Sequence, residues 1–344
     1  MLIRQKTVTR RAIMALAAVA VGAGLLTGCD SSADNASGGA AAGGTFPVTV
    51  DHFFGSTTIK EAPKKIVAVG YTDDQAALAL GAKPVGMTDQ YTNPAGKSPD
   101  INTQWPWTKD KWGDSKPEVV MVNGDTAPNF EKIAKLDPDL IIAVYSEIDQ
   151  ASYDKLTKLA PTVARTKAEK EPFSAPWQDN ALQISKALGK EDEGKKQIQA
   201  INDKQAAVKK AHPEWAGQSA VAVTWYKDAV YPYTSTDVRG QVLSGFGFKG
   251  NPDLDKLSDG KFSFALSPER MDVLSKFDHI IVIADKADED AIKKFQLFTN
   301  LPAVKAGKVI YVPDSEGAAV GAAISQATLA SMPYAIDQFS QLIK

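Results

Sequence analysis

The sequence predicts an α/β protein: two α/β lobes joined by a helix, with a ligand cleft between them. Three observations carry that expectation. Short β-branched runs alternate with helical patterns in both halves of the chain, as parallel β–α units do. Between the two halves, at 173–212, two helical patterns follow each other with no strand between them. A helix-then-strand segment from Asn129 to Ile142 also has a counterpart from Ser267 to Ile281. Each opens on a helix-capping residue, carries Glu two positions later (Glu131, Glu269), and sets apolar residues two and five after that Glu, a weak repeat that supports two similarly built lobes.

The chain starts outside that body. Arg4, Lys6, Arg10 and Arg11 form a basic head, Ala12 to Leu26 is an uncharged and mostly apolar run, and Leu26-Thr27-Gly28-Cys29 closes it. This is the pattern of an export signal, and the apolar run is shorter than the roughly 20 residues that span a bilayer as a helix. Leu-Thr-Gly-Cys resembles the bacterial lipobox, so Cys29 is the expected lipidation site and new N-terminus. Thr9-Arg10-Arg11 resembles a twin-arginine signal. Residues 30–45 are small and polar and cannot bury enough surface to fold. Residues 1–28 are thus expected to be a signal peptide, 29–45 a lipidated tether, and the protein to sit lipid-anchored on the extracytoplasmic face of the cell membrane.

The first lobe, 46–172, is expected to begin with a hairpin of Val48–His52 and Thr57–Ile59 around Gly55. Strands at Ile66–Val69, Val119–Val122 and Leu140–Val144 follow, with helices at Asp73–Leu80, Asn129–Leu136 and Gln150–Leu159. In the link, 173–190, Ser174 can cap a helix with Pro176 in its first turn. Trp177, Ala181, Ile184 and Leu188 fall on one helical stripe, and Gly189 supplies a stop. A more charged helix, Glu191 to Ala211, is expected to pack on the second lobe, 191–344. There, strands are expected at Ala220–Trp225, Val230–Tyr233, Ile280–Ile283 and Val309–Val312. Helices are expected at Gln241–Gly245, Pro268–Leu274 and Ala287–Phe298, and over most of 317–343.

Composition narrows the function. The 344 residues are 44% hydrophobic and 23% charged, as in a globular protein of about two domains. A net charge of −2 with no long basic block argues against a nucleic-acid partner. The single cysteine excludes an internal disulfide framework and a Cys-rich metal site. The chain has no GxSxG, Walker or HExxH motif, and Gly245-Phe246-Gly247 lacks the third glycine of a dinucleotide loop, so it reads as a helix-ending turn. His52, His212 and His279 are scattered. Asp73-Asp74 and Asp288-Glu289-Asp290 stand near helix starts, where negative charge is favourable. No enzyme, no cofactor and no protein-held metal are expected.

Several segments together resemble a family. They are Phe46-Pro-Val-Thr-Val-Asp-His, Thr57-Thr-Ile, Pro63-Lys-Lys-Ile-Val-Ala-Val-Gly, Leu80-Gly-Ala-Lys-Pro-Val-Gly, the 129–142 segment and Leu159-Ala-Pro-Thr-Val. Arg239-Gly-Gln-Val-Leu-Ser-Gly-Phe-Gly-Phe, Leu266-Ser-Pro-Glu and Leu301-Pro-Ala-Val-Lys-Ala-Gly-Lys-Val continue the series. In this order they resemble the iron–siderophore substrate-binding lipoproteins of bacterial ABC importers, a family that also holds haem, cobalamin and metal-ion binders. The resemblance implies a class III substrate-binding protein, with two Rossmann-like lobes on one long helix and a small closing motion. It implies a ferric siderophore as ligand, an ABC permease and ATPase as partners, and a monomer. Haem or cobalamin capture is the alternative on the same fold. An extracytoplasmic hydrolase or redox enzyme, or an adhesion or sensing lipoprotein, are alternatives of other classes.

A ferric chelate brings its own oxygen ligands, so the protein needs aromatic surface and a few cationic donors. Arg165, Arg239 and Arg270 are the arginines after the signal. Family members often carry a ligand-facing Arg in the stretch that holds Arg239, after the loop with Tyr231 and Tyr233; the other reading pairs it with Asp237 at the surface. Trp225 and Tyr226 end a strand, and one of them is expected at the ligand, core packing being the alternative. Tyr71, Asp73, Asn123, Asp125, Tyr145 and Ser146 follow strand ends that face the cleft. Tyr91, Trp105 and Trp107 lie in a long loop, where they cover either ligand or their own lobe. The resemblance also makes Glu131 and Glu269 the permease-docking residues, although a first-turn acid is favourable by itself.

Overall fold

The structure is a computed structural model and describes residues 44–91, 101–169 and 171–342. The expected signal, Cys29 and most of the tether lie outside the described residues. The body opens with the expected hairpin. β1 (Val48–His52) and β2 (Gly55–Ile59) pair antiparallel with His52 opposite Gly55. Alternate residues Val50 and His52, Thr57 and Ile59, are buried, the period of a half-buried strand pair.

Five parallel strands build the first lobe: β3 (Ile66–Ala68), β4 (Gly86–Asp89), β5 (Glu118–Val122), β6 (Leu140–Ala143) and β7 (Thr162–Ala164), in the order β5-β4-β3-β6-β7. Sheets covered on both faces bury every strand position, as β3, β4, β6 and β7 do here. The Thr57 hydroxyl donates to the Thr162 carbonyl at 2.6 Å and ties the hairpin to β7. β4 and β7 are additional to the expected strands. β4 begins at Gly86 because a Cβ there would lie 2.7 Å from a Leu136 methyl. The close approach selects glycine and hides the strand from a β-propensity reading.

The second lobe holds β8 (Ala220–Tyr226), β9 (Ala229–Pro232), β10 (His279–Ile283) and β11 (Val309–Val312), in the order β11-β10-β8-β9. β10 runs parallel to both β8 and β11, and β9 returns antiparallel along β8. Its two-residue turn, Lys227-Asp228, has both φ angles positive, at 48° and 59°, which matches the twist of a hairpin. Two helical expectations are corrected, and a third, that 317–343 is mostly helical, holds with a break. Residues Pro268–Lys276 form a 3-10 helix. The expected 287–298 helix is two, Lys286–Ile292 and Gln296–Thr299. The C-terminal stretch is broken between Val320–Gln326 and Ser331–Leu342 by Ala327, which has a left-handed φ of 43°.

The link consists of the helices Trp177–Ala187 and Glu191–Ala211. The stripe Trp177, Ala181, Ile184 and Leu188 is buried. Gly189, at φ 67°, ends the first helix. Ser174 is not the cap: its hydroxyl donates to the Glu171 carbonyl at 2.6 Å, and the helix starts at Trp177 after Pro176. The expectation gave the joining role to the first helix, but the second also reaches both lobes. Lys190 and Gln197 donate to the carbonyls of Leu80 and Ala79 in the first lobe, and Lys204 pairs with Asp337 of the second at 2.5 Å. One apolar core runs from Ile66 and Ile142 through Trp177 and Ile184 to Val242, Ile281 and Phe339.

The histidines take structural places. His52 meets the Thr57 hydroxyl at 3.0 Å, His212 meets Glu214 at 2.8 Å, and His279 meets Gln218 at 2.5 Å. Among the described residues no group of three His, Cys, Asp or Glu side chains could hold a metal, and no helix is long and apolar enough to cross a membrane.

Candidate ligand-binding cleft

Parallel strands leave their C-terminal ends along one edge, where open α/β sheets bind ligands. Asn123, Gln90, Tyr71 and Tyr145 follow β5, β4, β3 and β6, four neighbouring strands, and all line one cleft of about 210 Å3. Glu147 lines it two residues beyond Tyr145. The second lobe closes the other side with Asp237, Arg239, Phe262 and Ser325, and Phe173 of the link stands between them.

Phe173 organises the aromatic wall. Its ring centroid is 5.8 Å from Tyr71, 4.8 Å from Tyr145 and 6.0 Å from Phe262, so it touches rings of both lobes. Its φ is 68°, a left-handed backbone that a bulky residue rarely adopts and that tends to be held at binding sites. Burial pushes the pKa of Tyr71 up, and the charges of Glu147 and Asp125 add to the shift. Burial raises that of Tyr145 as well. Both phenols therefore stay protonated as neutral donors.

Arg239 enters from the helix Val238–Gly245. Asp237 caps that helix by accepting the Arg239 backbone N–H at 2.8 Å. The same carboxylate accepts Nη1 of Arg239 on both oxygens at 3.1 Å, and Ser325 Oγ accepts Nε at 2.9 Å. The guanidinium lies 3.9 Å above the Tyr233 ring. Arg239 thus pairs with Asp237, as one sequence reading had it, but largely buried instead of at the surface, and it lines the cleft. Nη2 makes no hydrogen bond to a described residue.

Of the sequence candidates, Tyr71, Asn123, Tyr145 and Arg239 converge on this cleft, and Tyr233 supports Arg239 from behind. The structure places others elsewhere. Asp73 is fully buried, and its carboxylate accepts the backbone N–H groups of Val144 at 2.7 Å and Tyr145 at 3.0 Å. It holds the β6 end in place from inside the lobe. Ser146 is buried and donates to the Ala143 carbonyl. Trp105 and Trp107 are buried and stacked, with centroids 5.0 Å apart, and the Tyr91 ring meets Trp105 edge-on at 5.1 Å. Trp105 and Trp107 thus cover protein, whereas the Tyr91 phenol also lies within reach of the Arg239 charge. Trp225 packs on Phe295 in the second-lobe core, while Tyr226 is exposed against Tyr231. Asp125 accepts the Val122 N–H at 3.0 Å in the turn beside Asn123. Arg165 lies 3.7 Å over the Phe53 ring, and Arg270 is exposed near Asp272. Glu131 and Glu269 are both exposed in first helical turns.

Sequence reasoning missed Phe173, Phe262, Gln90, Glu147 and Ser325. Gln90 and Glu147 follow strand ends as the chosen residues do, so the same rule could have found them. Phe173 and Phe262 sit in irregular segments with no periodicity to assign them.

Similarity to known proteins agrees with this geometry. The sequence profile of the periplasmic binding protein family matches residues 66–316. A probable siderophore-binding lipoprotein of Bacillus subtilis, YfiY, is 29% identical over 84% of this chain and 87% of its own. A periplasmic solute binding protein of Mycobacterium smegmatis superposes with a TM-score of 0.72 at 29% identity, over 86% of this chain and 97% of its own. PiaA of Streptococcus pneumoniae, solved in complex with ferrichrome, gives a TM-score of 0.71 at 27% identity over the same shares. Family profile, relatives and two-lobed cleft agree: this chain belongs to the periplasmic binding protein family.

Proposed function

We propose that the protein captures a ferric siderophore outside the cytoplasmic membrane and delivers it to an ABC importer without altering it chemically. The carrying observation is the cleft, where Tyr71, Tyr145, Phe173 and Phe262 from both lobes and the link surround the free Nη2 of Arg239. Aromatic faces bury a large ligand surface with few rotors, and an arginine fork donates to chelate oxygens while staying charged. Iron arrives as cargo inside its chelator, so its ligands come from the siderophore. The names of YfiY and of ferrichrome-bound PiaA support the same reading.

Residues 1–28 are assigned as the signal, Cys29 as the lipid anchor, 46–172 and 191–344 as the lobes with 173–190 between them, and Glu131 and Glu269 as contacts for the permease. The protein acts as a monomer. Tryptophan fluorescence titration with ferric siderophores, their iron-free forms, haem and cobalamin tests the reading. Saturable quenching by a ferric chelate, weaker with its iron-free form, is expected. Quenching by haem alone with a Soret shift would replace siderophore by haem, and quenching by cobalamin alone would replace it by cobalamin.

A further inference from the structure

We infer that the cleft selects a ferric chelate with no net negative charge, a neutral or cationic tris-hydroxamate, because its guanidinium is already neutralised and a second carboxylate faces the same space. The inference rests on the siderophore reading and narrows its substrate class. Among the described residues that line the cleft, Arg239 is the cation and Asp237 and Glu147 are the anions. The Arg239 charge is not available to balance a ligand. Asp237 holds Nη1 on both oxygens and caps the helix through the Arg239 N–H, so its carboxylate cannot turn away without undoing the cap. Glu147 makes no ion pair with a described residue. Asp125, exposed in the turn after β5, adds a further negative charge at the rim.

Chelate charge follows from elementary chemistry. Three hydroxamates, each singly negative, neutralise ferric iron, and a pendant ammonium makes the complex cationic. Three catecholates leave it strongly anionic, and ferric citrate complexes are anionic too. An anionic chelate would bring like charge against the unpaired Glu147 in a partly desolvated space, where opposite and like charges count for more than in water. A neutral or cationic complex meets the aromatic wall instead, accepts from Nη2 through a hydroxamate oxygen, and is drawn in by the acidic rim.

The test titrates the mature protein by intrinsic fluorescence with ferrioxamine B, ferrichrome, ferric enterobactin and ferric dicitrate. At least one hydroxamate complex should bind about tenfold or more tightly than either anionic complex. Glu147→Gln should narrow that ratio by about fivefold, chiefly by tightening the anionic chelates. An anionic chelate that binds as tightly as the hydroxamates, or a ratio that Glu147→Gln leaves unmoved, overturns the inference while siderophore capture stands. If none of the four complexes binds, siderophore capture and the charge preference fall together.

Discussion

The side-chain amides of Gln75 and Gln326 are hydrogen-bonded to each other across the junction of the two lobes. Gln75 Oε1 also accepts the Trp107 indole N–H at 2.7 Å and the Thr328 hydroxyl at 3.3 Å, and all four residues are buried. The Trp107 ring lies 5.3 Å from Tyr334 of the C-terminal helix. Gln75→Ala therefore strands a buried donor on Trp107, which costs about 1–3 kcal/mol. Urea unfolding should show a lower midpoint with little change in slope; a wild-type midpoint would mean that the junction draws its stability from elsewhere.

Arg239→Ala removes the cleft's guanidinium and leaves Asp237 buried without its partner. A charge-assisted hydrogen bond is worth about 1.5–3 kcal/mol, so ferric-chelate affinity should fall by about tenfold or more. Arg239→Lys should not restore it, because one ammonium cannot hold Ser325 and Asp237 and still reach a ligand. Fluorescence titration of both variants, with a melting curve to confirm folding, decides this. Unchanged affinity in Arg239→Ala removes Arg239 from the ligand's contacts.

Asp74 is buried, and burial, then the neighbouring charge of Asp73, raises its pKa to about 8. Asp73 itself is raised to about 6 by burial, against the pull of its backbone hydrogen bonds. The sign follows directly. In the unfolded chain both ionise near 3.8, so between that value and their folded values the native state binds more protons than the unfolded state. Their contribution is fully present below about pH 4 and is lost as pH rises through the folded values. Asp74→Asn should melt above the wild type at pH 8, with the gap closing toward pH 5. A gap that is constant with pH contradicts a protonated Asp74.

Glu131 follows the Asn129 cap, whose side chain accepts the Lys132 N–H at 3.0 Å. Glu269 follows Ser267 and Pro268, and hydrogen bonds from its own backbone N–H and from Ser267 lower its pKa. Both side chains are exposed, one on each lobe. The double variant Glu131→Ala, Glu269→Ala should keep its chelate affinity and lose uptake into cells. Normal uptake by that variant ends the docking assignment.

The elements that alternation and burial dictate were legible in the sequence. β3, β5 and β6 are β-branched runs, the hairpin forms although it turns at Phe53-Phe54 and Gly55 already opens β2, and the Trp177–Leu188 stripe packs inward as its spacing requires. β4 was not legible, because Gly86 is chosen for contact with Leu136 and Asp89 ends the strand. The site was legible where topology alone placed it, at Tyr71, Asn123 and Tyr145. It was not legible where tertiary partners decide. Nothing local says that Asp73 reaches two amides of another strand, or that Trp107 is drawn inward by Gln75. Phe173 depends on a backbone conformation that its residue type disfavours.

The uninterrupted core that passes from Ile142 through Ile184 to Phe339 has a mechanical consequence. Swinging the jaws wide would wet apolar surface at the base, at about 25 cal/mol for each Å2 exposed. That core therefore opposes wide opening like a stiff spring. A transporter that must tell loaded from empty can feel the difference as resistance to being pried open.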